Sequence, residues 1–196
     1  MKNWIDDLTL EGGRVKLVPL ERAHKTALVK AATDGKLWEL WYTSVPSADT
    51  VDQYVDRAIS QRESGKEYPF VVIDKDSGAI VGSTRYYSIQ PEHRRLEIGY
   101  TWYAQSHQRT GINAECKFLM LRYAFEVLDC IAVQFMTNWH NLRSRKAIER
   151  LGAKQDGVLR NHRLNADGSV RDTVVYSITS LEWAGVKKSL FYDLKQ

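Results

Sequence analysis

Residues 108–117 read QRTGINAECK, a polar turn with one glycine directly ahead of the apolar-periodic FLMLRYAFEVL. Two kinds of chemistry fit this spacing. One is no more than a helix start, with Asn113 as N-cap; the other is a turn that holds an anion. The first turn of a helix carries unpaired backbone N–H groups, and the helix dipole adds roughly half a positive charge there. Gly111 would let a phosphate approach the backbone closely. Taken alone, the turn leaves both readings open. Metal chemistry has no comparable signal. His24, His93, His107, His140 and His162 are scattered and lack cysteine partners at ligand spacing. Cys116 and Cys130 both fall inside apolar-periodic stretches and read as small core residues in a reducing compartment.

The elements that must position this turn are those of an ordinary globular chain. At 196 residues, 43% hydrophobic and 27% charged, the sequence is expected to form a single domain over 1–196. It has no linker, low-complexity tract or repeat. The opening MKNWIDDLTL has no apolar leader core, and no apolar run approaches the roughly 18 residues of a membrane span. A cytoplasmic location without a membrane partner is therefore the expectation. The net charge of +4 suits an anionic ligand or a nucleic-acid-associated partner and proves neither. Lys and Arg are spread along the chain, so most belong to a solvated surface.

RVKLVPL (14–20) reads as a first strand, and ERAHKTALVKAATDG as a helix that Gly35 stops. Ser47 and Asp49 offer N-caps for a second helix ending at Gly65. YPFVVIDK (68–75) and AIVGSTRYYSI (79–89) flank the turn DSG as a hairpin. RRLEIGYTWY (94–103) alternates, with Leu96, Ile98, Tyr100 and Trp102 on one face and Glu97, Gly99, Thr101 and Tyr103 on the other. The helix after QRTGIN is apolar nearly all round, as a helix buried against a sheet must be. CIAVQFMTN (130–138) is the next strand and NLRSRKAIERLGA the next helix. Two late strands, about 153–164 and 170–180, meet at NADGS, and Ser180 caps a short last helix. The fold class is α/β (α+β), with a mixed, mostly antiparallel sheet of about seven strands flanked by helices.

The stretch QRTGIN resembles the acetyl-CoA-binding signature of the GCN5-related N-acetyltransferase (GNAT) superfamily, Gln/Arg-x-x-Gly-x-Gly/Ala, with Gln108, Gly111 and Asn113 at the three marked positions. Asn113 departs from the small third residue. The resemblance covers nearly the whole chain and is nearest to the ribosomal-protein N-acetyltransferase (RimJ/RimL-like) branch. RRLEIGYTW, TGINAECKFLMLRYAFE, TNWHNLRSRKAIERLGA, QDGVLRNHR and the Arg-Asp pair of SVRDTVVYSI carry it in combination and in order. It implies acetyl-CoA as cofactor, its pyrophosphate held by the N–H groups of Arg109, Thr110, Gly111, Ile112, Asn113 and Ala114. It also implies a splayed strand pair, between the Glu97 strand and the strand ending at Asn138. The pantetheine arm would add there as a strand, pairing near Tyr100 and Thr101. Asn141 matches a family Asn that contacts the cofactor, and also suits a plain N-cap.

Acetyl transfer to an amine needs a neutral nucleophile, a polarised carbonyl and a proton for the thiolate. Glu97 is the first candidate base and Asp172 the second, the latter equally suited to a salt bridge with Arg171 or Arg160. The tyrosine acid of many family members would fall seven residues after Asn141, where this chain has Ile148. The Asn-x-x-Ser spacing of the ribosomal branch makes Ser144 the catalytic candidate beside the pantetheine end. A backbone N–H around Tyr100 would polarise the carbonyl. The acceptor side is expected at Trp38, Trp41 and Tyr42, with Tyr86, Tyr87, His162, Arg163 and Asp172 as further candidates. The acceptor is a primary amine, either a protein N-terminus or a small molecule such as an antibiotic, polyamine or amino acid. A non-catalytic acetyl-CoA sensor, a ribosome contact and a homodimer stay open.

Overall fold

The computed structural model describes residues 4–41, 43–165 and 167–195. Its single sheet has the strand order β1-β2-β3-β4-β5-β6-β8-β7. The strands are β1 (Leu10–Glu11), β2 (Val15–Pro19), β3 (Tyr68–Asp74), β4 (Ile80–Gln90), β5 (Arg95–Tyr103), β6 (Ala132–Asn138), β7 (Lys154–Leu164) and β8 (Val170–Thr179). The helices are α1 (Lys25–Thr33), α2 (Val51–Glu63), α3 (Ile112–Glu126), α4 (Leu142–Arg150) and α5 (Ser180–Asp193). The strand beyond the expected seven is β1, two residues long and too short to leave a period in the sequence. Helix α2 begins after Thr50, not at Ser47 or Asp49. Helix α5 runs 14 residues and starts one residue earlier than expected. Thr179 is its N-cap, in a capping box with Glu182.

All neighbouring strands pair antiparallel except β5 and β6. That parallel pair needs a crossover, and α3 supplies it. One core gathers α3, α4 and α5 against the sheet, through residues such as Leu119, Leu121, Ile148 and Trp183. The second gathers α1 and α2 on the opposite face, around Leu28, Val55, Val71 and Trp102. The all-round apolar α3 is explained by two partners. It packs on the sheet and also under α5, where Phe125 stacks on Trp183 at 5.1 Å and Phe118 meets Phe191 at 6.1 Å.

Two irregularities position the site. First, β5 and β6 pair only at Arg95–Ala132, Leu96–Val133 and Glu97–Gln134, although β5 continues to Tyr103 and β6 to Asn138. The strands therefore splay from Glu97 onward. Second, the regular alternation expected along β5 breaks at Tyr100. Its φ is +51°, and the β4 register jumps from Arg85–Gly99 to Ser83–Trp102, leaving one extra residue on β5. This β-bulge swaps the faces beyond it. Leu96 and Ile98 lie in the α3 core, whereas Trp102 packs with α1 and α2 and Tyr103 returns to the α3 side. A tyrosine at positive φ is disfavoured, so residue type gave no hint of the bulge.

Candidate active site

Helix α3 opens on Gly111, whose φ of +87° is left-handed and whose position carries no side-chain cap. Asn113 is the second residue of the helix and not its N-cap, which corrects the sequence expectation. Arg109 also has positive φ, +67°. Among the described residues, the backbone N–H groups of 109–114 donate to no protein acceptor. The first to do so is Glu115, to the Gly111 carbonyl at 3.0 Å. Six successive open donors at a helix start have the chemistry to meet an anion. The φ of +87° is what favours glycine here; a Cβ on Gly111 would stand 2.6 Å from Arg14 Nη1 and so push that flexible side chain aside.

The surroundings brace this turn. Arg14 Nη1 donates to the Thr110 carbonyl at 3.2 Å, and the Thr110 hydroxyl donates to the His107 carbonyl at 2.8 Å. Gln108 is a strut: its Nε2 donates to the Tyr103 carbonyl at 2.9 Å, and its Oε1 accepts from Arg143 Nη2 at 2.7 Å. Glu115 would repel a phosphate from the first turn of α3, but both its oxygens are engaged elsewhere. They accept the N–H groups of Gly13, Arg14 and Val15 at 2.8–3.1 Å. Arg14 and Arg143 form no ion pair among the described residues, so the turn keeps two uncompensated guanidinium groups beside it.

The splay brings Glu97, Tyr100, Thr101 and Asn138 to its two walls. Glu97 stands at the vertex, 8% exposed, with Oε2 lacking any protein partner. Tyr87 lies opposite it across the β4–β5 ladder and meets the Tyr100 ring edge-on at 5.2 Å. Burial, and then the Glu97 charge, push the Tyr87 phenol well above its ordinary pKa. On the other face, Lys117 supports the bulge. Its buried Nζ donates to Thr101 Oγ1 at 2.6 Å and to Thr84 Oγ1 at 3.0 Å, and burial lowers its pKa to about 8. Asn138 Oδ1 accepts the His140 N–H at 2.9 Å, while its Nδ2 is buried and unpartnered. Asn141 is the N-cap of α4, its Oδ1 accepting from the Ser144 N–H at 3.0 Å. Ser144 is half-buried one turn into α4, and its hydroxyl makes no hydrogen bond among the described residues.

The acceptor candidates divide. Trp38 and Trp41 are exposed in the α1–α2 connection, and the Trp41 ring is 6.3 Å from that of His140, which places it against the β6–α4 turn. Tyr42 lies outside the described residues. Tyr86 is not a cleft residue. It is fully buried, donates to the Met120 carbonyl at 2.6 Å and packs edge-on against Phe70. Strand alternation sends it to the α3 core and sends Tyr87 to the Glu97 face. Asp172 is displaced for the same reason. It shares a face with the core residues Val174, Tyr176 and Ile178, accepts the Asn161 N–H at 2.7 Å and pairs with Arg160 at 3.6 Å. His162, in the bulged part of β7, keeps a buried, unpartnered Nδ1.

A cavity of about 250 Å³ lies on the α2 side, lined by Thr50, Tyr54, Arg57, Arg85 and Tyr100 together with residues 44–46. Arg85, absent from the sequence candidates, is buried in its wall. Its Nη1 holds Glu67 at 2.7 Å, its guanidinium stacks 4.4 Å over the Tyr100 ring, and Nε and Nη2 have no partner. The only sequence signal was an arginine within the otherwise uncharged IVGSTRYYSI. Thr173 and Arg171 on β8 also carry unpartnered buried atoms. Native interiors leave few polar atoms unsatisfied. Arg85, Glu97, Asn138, Arg171 and Thr173, which all carry such atoms, fall on one face of the sheet, the face opposite the α3 core.

A model of the acetyltransferase (GNAT) domain matches residues 14–154. The chain is 34% identical over 111 residues to the Bacillus subtilis protein named "Putative ribosomal N-acetyltransferase YdaF", covering 56% of this chain and 59% of that relative's length. A GCN5-related N-acetyltransferase from Brucella melitensis superposes with a TM-score of 0.86 at 28% identity, over 97% of this chain and 86% of that one. Mycobacterium smegmatis RimJ, solved in complex with CoA-disulfide, shares the fold with a TM-score of 0.81 at 19% identity, over 95% of each chain.

Proposed function

From the premise that this chain belongs to the acetyltransferase (GNAT) family, we propose that it binds acetyl-CoA and transfers the acetyl group to a primary amine by direct attack on the thioester. The observation that carries the reading is the run of unpaired N–H groups over 109–114 at an uncapped, glycine-opened helix. It follows a strand that splays from its parallel neighbour. The donors fit a pyrophosphate, and the splay fits an extended pantetheine arm adding as a strand.

When bound, acetyl-CoA supplies an activated thioester. The chain's own groups then do three things. Glu97, buried at the vertex with a free Oε2, takes the proton from the incoming ammonium, directly or through water. Backbone N–H at the Tyr100 bulge polarises the acetyl carbonyl. Ser144, one turn from the Asn141 cap, supplies a proton toward the departing sulfur. A thiolate leaves well on its own, so this last role is the smallest.

The ribosomal name of the Bacillus subtilis relative supports a protein N-terminal amine as acceptor. A small amine is the second reading, favoured by a cavity of about 250 Å³, room for one amino-acid-sized group. A thiol-release assay over peptides and small amines, paired with calorimetric titration of CoA, tests the proposal. Saturable CoA binding and turnover of at least one amine are expected. Binding without turnover would replace the enzyme by a cofactor sensor. In Glu97→Gln, the rate at neutral pH should fall by roughly 10²–10⁴ and partly recover at higher pH. A wild-type profile in that variant removes Glu97 as base.

A further inference from the structure

One feature of the cleft is unexplained by acetyl transfer itself. Arg163 on β7 and Arg171 on β8 are directly opposed in the ladder, a like-charge cross-strand pair that costs stability. Neither forms an ion pair among the described residues, where Asp172 is taken by Arg160. Arg171 is half-buried and its Nε is buried without an acceptor. Burial, and then Arg163, hold its pKa below the usual value. Alternation along β8 sets Arg171 and Thr173 on the face opposite the core residues Val174 and Tyr176, the face that Glu97 shares. Arg171 lies within electrostatic range of the neutral Tyr87 and Tyr100 phenols, and Arg163 within range of Tyr87, so the pair stands on the side of the cleft that these tyrosines wall. Arg57, exposed at the rim of the adjoining cavity, extends the positive field, while Arg85 is neutralised by Glu67. The phosphate-binding turn over 109–114 is a separate feature of the molecule with its own donors.

We infer that Arg171 and Arg163 form an anion subsite in the acceptor cleft, and that the acceptor amine therefore carries a carboxylate. The inference rests on the acetyltransferase reading and names its substrate class. A guanidinium with an unused buried N–H is completed by a carboxylate oxygen, and two opposed arginines lose their repulsion when one anion bridges them. Glu97 adds one negative charge to the same cleft, which favours a singly charged carboxylate over a doubly charged phosphate. Polycationic amines are excluded by the same field.

The test compares acceptors matched except for the acid. The peptides Ser-Asp-Ala-amide and Ser-Asn-Ala-amide share an N-terminal amine. Alanine and alaninamide form a second pair, with rates referred to the free amine, and spermidine is the polycationic control. In the wild type, the acidic member of at least one pair should show kcat/KM roughly tenfold or more above its neutral partner, chiefly through KM. Arg171→Gln and the exposed Arg163→Gln should each bring that ratio toward one, and Arg171→Lys should keep part of it. Ratios near or below one in both wild-type pairs, or a preference unchanged in both glutamine variants, overturn the subsite and leave acetyl transfer standing. Failure to acetylate any amine while CoA still binds would instead overturn the proposed function, and the subsite with it.

Discussion

The starts of α3 and α4 look alike in sequence and are opposites in structure. Each follows a strand of the splayed pair, and each has an asparagine at its opening, Asn113 in one and Asn141 in the other. Helix α4 closes itself: Asn141 Oδ1 takes the Ser144 N–H at 3.0 Å. Helix α3 does not. Its N-cap is a left-handed glycine without a side chain, Asn113 sits inside the first turn, and six N–H groups stay unpaired. A helix start with no outside partner satisfies its donors from its own side chains or from water. One that keeps them open, beside Arg14 and Arg143, fits the anion-binding role proposed for it. The difference lies in backbone geometry rather than in residue type.

The largest expected effect breaks the open start. Gly111→Val combines an unfavourable positive φ with a Cβ 2.6 Å from Arg14 Nη1. It should weaken CoA binding by more than about 100-fold in calorimetric titration, through displaced donors as well as steric filling. An affinity within threefold of wild type would make the α3 start merely structural.

One and a half turns further into α3, Lys117 carries a buried charge with hydroxyl partners alone. Its folded pKa of about 8 lies below the ordinary 10.5, so the unfolded chain binds the extra proton between these values. The cost is full below pH 8 and fades as pH rises toward 10.5, so this group makes stability rise with pH across that window. Lys117→Met should stabilise the protein at pH 7 by on the order of 1–3 kcal/mol in denaturant unfolding. The gain over wild type should shrink by pH 10. A loss of stability at pH 7 would show that the Thr84–Thr101 bridge outweighs the buried charge.

The closed start should respond more modestly. Asn141→Ala removes the α4 cap and should cost about 1 kcal/mol, or roughly 2–4 °C in thermal melts. The smallest effect is expected for Asn113→Ala, which removes no cap. Stability should change by less than about 0.5 kcal/mol, and CoA affinity by less than about twofold, since the backbone N–H remains. A cost near that of Asn141→Ala would restore Asn113 as a capping residue and dissolve the contrast.

Much of this site could be read from the chain. Glu97 mid-strand, Gly111 in the turn, Asn141 and Ser144 three residues apart each fall where their patterns put them. What failed to show was set by events without a residue signature. The bulge at Tyr100 turned Trp102 away from Leu96 and Ile98. Tyr86 and Tyr87 are chemically identical neighbours, and strand parity alone makes one core and the other cleft. The same parity puts Asp172 on the α3-core face, where it pairs with Arg160, and Arg171 on the Glu97 face. Lys117 reads as a solvated lysine until α3 is found buried between sheet and α5.

The sequence by itself determined the order of the five helices and of every strand but the two-residue β1, the buried character of α3 and the glycine turn ahead of it. These follow from local periodicity and backbone preference, which each segment carries on its own. The tertiary structure alone decided that the α3 donors stay open, that β5 and β6 part after Glu97, and that Arg163 faces Arg171. Those facts depend on register and on which groups find partners across the sheet. Hydrogen-bond satisfaction is a property of the assembled neighbourhood, and no single segment encodes it.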